Sequence, residues 1–480
     1  MPTALANLKR LLFGRPLPSD RLEHERLDKK TALAVLSSDA ISSVAYATEQ
    51  ILLVLAVLGT AALGYVVPIS AVIVALLVLV ALSYRQTIFA YPDGGGSYTV
   101  AKDNLGRTRA LTAAAALITD YILTVAVSIS GGVAAMTSAY PALKPHTVAV
   151  GIAAIFLLML VNLRGVRESG MAFSVPTYVF IALMLVLLAT GVLRSVSGEA
   201  PAATAVSQAT PTGGPIGFAF VFLILRAFAE GCVAMTGTEA ISNGVGAFRA
   251  PRSRNAAMTL TWMAAILATF FIGTSYLARH YGLMPTGHET VLSQLGRQVF
   301  GSGAAYFALQ YATFAILVLA ANTAFADFPR LSSLLARDGF MPRQFAARGD
   351  RLAFSNGIIA LAAVAMLLVW MFRGDTSALI PLYAIGVFLC FTLSQAGMVV
   401  RWLRTRERGW RWKAVLNGVG AAATALVMIV QVATKFSHGA WIVVLVIPVI
   451  ILMLTKIHRH YERFARDIEF RGHAPLMFLH

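Results

Sequence analysis

Long apolar runs recur along the whole chain, separated only by short polar segments, and few architectures accommodate that pattern. A helix needs about 20 mostly apolar residues to cross roughly 30 Å of hydrocarbon. Runs that meet this length fall near 31–57, 66–90, 110–140, 146–163, 172–193 and 217–247. Six more fall near 255–279, 302–338, 354–372, 376–402, 412–434 and 437–457. The expected fold is an all-α integral membrane protein of about 12 transmembrane helices. Composition agrees: 58% of residues are hydrophobic and 13% charged, against about a quarter charged in soluble proteins.

The formal net charge of +17 does not indicate nucleic acid, because Lys and Arg cluster in the short segments between apolar runs, where anionic headgroups lie. With the N-terminus inside, the inner segments hold most of the 39 Lys and Arg residues and the outer loops few. This asymmetry places both termini in the cytoplasm. The N-terminal stretch lacks an h-region with a cleavage site, so the first span serves as its own insertion signal. Cys232 and Cys390 lie in apolar runs and read as two buried thiols. No GxxxxGK[ST] loop is present for ATP-driven transport.

Span 1 contains SSDAISSVAY (37–46) and span 6 contains GTEAISNGVG (237–246), so Asp39-Ala-Ile-Ser42 is echoed by Glu239-Ala-Ile-Ser242. Both stretches carry small and polar residues mid-span. Transporters built from inverted repeats break the first helix of each repeat near the midplane; packing of small residues is the plainer explanation. The organisation expected is a basic tail (1–30), a first five-helix repeat (31–195), an extracellular loop (196–216), a second repeat (217–402), two last helices (403–457) and a cytoplasmic tail (458–480).

Charges inside a membrane are costly and usually functional. Asp120, Thr124 and Ser128 recur every four residues and share one helix face, with Tyr121 beside it. Interhelical hydrogen bonds alone explain the hydroxyls more easily than the aspartate. Asp39 stands at the expected interruption of span 1, with Tyr46 near the same face. Its carboxylate beside unwound carbonyls suits a hard cation, K⁺ or Na⁺ better than Mg²⁺, which sheds water reluctantly; helix capping is the alternative. Glu239 follows the TGT break as a candidate proton acceptor or a structural carboxylate at a helix end. Arg226 and Glu230 stand four apart, as a structural pair would. Glu49 and Arg85 lie near span ends, and Asp327 suits a gate or a cap.

These stretches resemble the amino acid–polyamine–organocation superfamily, through YPDGGGSY (91–98) and GTEAISNG (237–244). SSDAISSVAYATEQIL (37–52), TDYILTVAVS (119–128) and CVAMTGTEAISNGV (232–245) are similar to the bacterial KUP-type potassium–proton symporters, in the KimA branch. The resemblance implies a LeuT-like 5+5 inverted repeat with broken first and sixth helices, in the bacterial inner membrane, importing K⁺ by proton symport. It assigns K⁺ binding to Asp39, Tyr46, Asp120, Tyr121, Thr124, Ser128, Thr236 and Tyr383, and proton coupling to Glu239. No cofactor is implied beyond K⁺ and H⁺ as transported ions, and no partner beyond K⁺, membrane lipid and a second copy of the chain. In those relatives a cytoplasmic C-terminal domain supports the dimer and binds cyclic di-AMP; here residues 458–480 follow the last span.

A proton-coupled amino-acid or amine permease of the same fold is the main alternative. Such permeases usually hold the substrate carboxylate on a glycine-rich break, whereas serines and Asp39 stand there in this chain. Asp39 can still meet an ammonium. A channel fits poorly with scattered charges, and no HExxH or GxSxG element suggests an enzyme.

Overall fold

The computed structural model describes residues 26–94, 96–164, 170–197, 217–346, 354–436 and 439–471. The tail 1–30 is thus described only from residue 26, the loop 196–216 falls outside the described residues apart from 196–197, and the tail 458–480 is described to residue 471, where it continues the last helix. The first half comprises α1 (Lys29–Leu36), α2 (Ser38–Ser42), α3 (Val44–Leu55), α4 (Val66–Ala90), α5 (Ser97–Leu105), α6 (Arg107–Ala139), α7 (Thr147–Leu163) and α8 (Gly170–Ser197). The second comprises α9 (Phe218–Gly231), α10 (Ala240–Asn243), α11 (Arg252–His280), α12 (Val291–Phe300), α13 (Ala304–Arg337), α14 (Ser355–Met371), α15 (Thr376–Thr405), α16 (Trp410–Lys435) and α17 (Ala440–Arg471). Among the described residues, ten stretches are long and apolar enough to cross a membrane, and two shorter apolar helices, Val44–Leu58 and Ser355–Met371, occupy the other two expected spans.

α6 stands at the centre, packed against α13 and α15. Its Ala113–Ala116 run is fully buried, because small side chains let neighbouring backbones approach closely. The outer helices instead turn Leu157, Val186, Leu426 and Leu452 outward, as lipid-facing surfaces do. Two amphipathic helices, α5 and α12, occupy segments expected to be loops. Cys232 and Cys390 are free and buried.

The first and sixth spans are both interrupted. Ser37 ends α1 and Ser43 separates α2 from α3. After α9 the chain tightens into a 3₁₀ turn over Cys232–Met235, then passes through Thr236 in extended conformation (φ −61°, ψ 152°). Hydroxyl groups take up carbonyls left by the broken ladders: Ser42 donates to the Asp39 carbonyl (2.9 Å), Thr236 to Val233 (2.9 Å) and Thr238 to Met235 (2.9 Å).

One pairing differs from expectation. Glu230 at the end of α9 meets Lys435 at the end of α16, Nζ to Oε2 3.0 Å, rather than Arg226. Lys435 had the sequence position of an outer-loop residue, yet its side chain is fully buried. The last turn of a lipid-exposed helix can direct a long side chain inward when a carboxylate waits there. Lys435→Met should destabilise the protein by about 3–5 kcal/mol, because it strands a buried carboxylate. The double variant Glu230→Gln/Lys435→Met should recover most of that loss, as read by thermal unfolding in detergent.

Candidate cation site

The two breaks face each other, joined by a side-chain bond and by a close backbone approach. Ser43 Oγ lies 3.0 Å from the Ala234 carbonyl and donates to the Ala40 carbonyl at 2.6 Å. Gly237 has φ +74°, and a Cβ there would lie 2.6 Å from Asp39 Oδ2 and 2.7 Å from the Ala40 nitrogen. Only glycine permits both the backbone turn and this approach. Asp39 is consequently locked beside the break in the sixth span.

A cavity opens at this junction, lined by Asp39, Asp120, Tyr121, Gly237, Glu239, Asn243, Thr323 and Asp327 among polar or small groups, with Leu117, Ala240, Val387 and Cys390 completing the wall. Four carboxylates therefore share one small space in the bundle interior. Such a concentration of negative charge requires compensation by cations or protons.

The hydrogen-bond pattern separates these groups. Asp39 Oδ1, Tyr46 Oη, Asp120 Oδ1 and Ser128 Oγ are all buried and lack a hydrogen-bond partner. They come from α2, α3 and α6. Buried oxygens normally find donors, and the unpartnered carboxylate oxygens of Asp39 and Asp120 both belong to residues in the cavity wall. Tyr46 stands within the electrostatic reach of Asp39 and Asp120 and beside the Thr236 hydroxyl, and its ring packs near the face of α6 at Gly131.

Thr124 and Tyr383 share a 2.8 Å hydroxyl–hydroxyl bond linking α6 to α15. The charges of Asp39 and Asp120 both act on the Tyr383 phenol. Tyr121 accepts a bond from Asn243 Nδ2 at 3.1 Å. Of the nine residues expected at the site, Asp39, Asp120, Tyr121 and Glu239 line the cavity. Tyr46, Thr124, Ser128, Thr236 and Tyr383 are not among its lining residues; Thr236 uses its hydroxyl within its own turn.

Glu239 is the cavity carboxylate most fully supplied with donors. Its Oε1 accepts from the Ser97 backbone N–H (2.8 Å) and hydroxyl (2.7 Å), and its Oε2 from Tyr84 at 3.2 Å. It thereby seats the first turn of α5 on the broken sixth span. Gly94 and Gly96 let the preceding loop lie against Asn243, where a Cβ on either would collide. The far side of α5 is anchored too: Lys102 and Tyr98 reach Asp338 at 2.7 Å and 2.5 Å. Of the weaker candidates, Glu49 caps α12 by accepting from Val291 N–H at 3.1 Å, and Arg85 is exposed. Asp327, expected as gate or cap, enters the cavity wall and meets Arg330 at 3.3 Å.

Broken helices enclosing unsatisfied oxygens in a polytopic helical bundle define a membrane transporter rather than an enzyme. The family model described as amino acid permease matches residues 27–455, and the chain belongs to that family. It is similar to the potassium transporter KimA of Bacillus subtilis (strain 168), with 46% identity over 469 residues, covering 98% of this chain and 77% of that one. Among solved structures it is similar to a manganese transporter of Eremococcus coleocola in complex with an aromatic bis-isothiourea substituted compound, at 16% identity and a TM-score of 0.41, covering 94% of this chain and 97% of that one.

Proposed function

We propose that the chain carries K⁺ across the bacterial inner membrane together with a proton. The observation that carries this reading is the pair of partnerless buried carboxylate oxygens on Asp39 and Asp120, residues that line the cavity together with Gly237 of the sixth-span break. Carboxylate and hydroxyl oxygens replace the water of a weakly hydrated monovalent ion. The name of the similar Bacillus protein supports the choice of K⁺. Thr124 and Tyr383 hold the far wall, and Tyr121 and Thr236 complete the surroundings. We further propose two inverted five-helix repeats, 31–195 and 217–402, followed by two helices, with both termini cytoplasmic.

Glu239 carries the coupled proton in this scheme. As a carboxylate it accepts from three donors. Once protonated it must donate through one oxygen; the Ser97 and Tyr84 hydroxyls can turn to accept, but the Ser97 backbone N–H cannot. Protonation on Oε2 reverses the bond with Tyr84 and leaves the Ser97 N–H and hydroxyl on the neutral carbonyl oxygen Oε1; these bonds lose their charge assistance, which weakens the seat of α5 on the broken sixth span. Glu239→Gln, which mimics the protonated state, should transport K⁺ without stimulation by a proton gradient. An unchanged response to the gradient would remove Glu239 from the coupling.

The overall test is uptake of radioactive rubidium into proteoliposomes. Uptake should rise with an inward proton gradient and fall with added K⁺, while amino acids leave it unchanged. Competition by an amino acid with indifference to K⁺ would favour the permease alternative.

A further inference from the structure

The turn between α15 and α16 reads RWLRTRERGWRWK over 401–413. Six cations, Arg401, Arg404, Arg406, Arg408, Arg411 and Lys413, surround a single acid, Glu407. Other basic residues near polar boundaries have carboxylate partners: Lys102 with Asp338 (2.7 Å), Arg252 with Asp93 (3.1 Å) and Arg297 with Glu289 (3.1 Å). None of these six lies within ion-pair distance of a carboxylate among the described residues.

Aromatic rings hold four of the six instead, and Arg404 donates to Asn104 Oδ1 at 3.2 Å. Lys413 Nζ lies 4.2 Å from the centre of the Trp402 ring, and the Arg401 guanidinium 4.9 Å from that of Tyr91. Arg411 and Arg406 lie 5.6 and 5.9 Å from the Trp410 ring. Trp410 in turn packs on the buried cluster containing Trp402 and Tyr91. A cation over a ring keeps its charge and its outward N–H donors, so the stacks fix the positions of positive charge without neutralising it. Arg401 Nε and the indole N–H of Trp402, which is 3% exposed, are buried donors with no acceptor. Leu403, Trp412 and Val415 on the same corner are exposed apolar side chains. The corner sits where two membrane-spanning helices end, the depth at which tryptophan and basic residues meet headgroups.

We propose that this corner is a binding site for the headgroup of an anionic phospholipid. The phosphate lies among Arg406, Arg411 and Lys413, and the acyl chains lie along Leu403, Trp412 and Val415. The zwitterionic phosphatidylcholine headgroup, whose ammonium these cations repel, is disfavoured.

The test is native mass spectrometry of the full chain released from vesicles of phosphatidylcholine containing a minor fraction of phosphatidylglycerol. Wild-type protein should retain phosphatidylglycerol in preference to phosphatidylcholine, and Arg411→Gln/Lys413→Gln should bind it about tenfold more weakly or worse. Equal retention by wild type and this variant overturns the proposal, as does equal retention of the two lipids by wild type. Displacement by millimolar inorganic phosphate overturns it in favour of a soluble-anion site. Should the Gln variant fold poorly, Arg411→Lys/Lys413→Arg keeps both charges and should retain the lipid. Retention by wild type should also weaken with salt, and salt independence overturns the proposal.

Discussion

Asp120→Asn is expected to abolish K⁺ uptake while leaving the protein as stable as the wild type or more so. Asp120 Oδ1 is buried on α6 without a hydrogen-bond partner, and the charges of Asp39 and Glu239 both bear on it. A unit charge about 4 Å from a cation contributes roughly 4 kcal/mol at an effective dielectric constant of 20. Part of that is offset by the cost of keeping the carboxylate itself dry. Even half of it would weaken K⁺ binding by more than about tenfold. The same substitution removes an unpaired charge from a crowded acidic cavity, so folding should not suffer. Uptake and thermal unfolding measured on one preparation check both halves. Wild-type uptake in this variant would remove Asp120 from the site.

Gly237→Ala should be nearly as damaging, for a different reason. Its Cβ would lie 2.6 Å from Asp39 Oδ2 and 2.7 Å from the Ala40 backbone, at a φ of +74°. The left-handed backbone costs an alanine about 1–2 kcal/mol, and overpacking typically adds about 1–3 kcal/mol. The breaks in the first and sixth spans must move apart to relieve the clash, which carries Asp39 away from its neighbours. A marked drop in melting temperature with at least tenfold weaker K⁺ binding is expected. Unchanged binding would show that the approach of the two breaks is not needed to form the site.

Much of this was legible from the sequence because the membrane imposes strong local rules. Apolar run length located the helices, and the four-residue spacing of Asp120, Thr124 and Ser128 placed their oxygens on one face of α6. The Ser-rich 37–43 stretch and the TGT of 236–238 marked the breaks by their supply of hydroxyls and glycine. Tyr383 entered through family resemblance alone, since IPLYAIG reads as ordinary apolar helix; its bond to Thr124 spans 259 residues.

What stayed hidden depends on pairing between distant segments. Nothing local to Glu239 announces that Ser97, 142 residues away, donates two bonds to it. Lys435 has the sequence context of a loop, and its partner Glu230 was matched by helix periodicity to the nearer Arg226. Asp327 was visible as an intramembrane acid, but its entry into the cavity depends on how α13 rotates against α2. Asn243 carried no signal at all beyond the polar run that follows the break.

The most direct measurement is anomalous diffraction from crystals of the protein soaked with rubidium or thallium, monovalent ions that scatter strongly and substitute for K⁺. A peak is expected between the two breaks and α6, within coordination distance of Asp39 and Asp120. A peak confined to some other part of the bundle, or none there under conditions that support uptake, would contradict it.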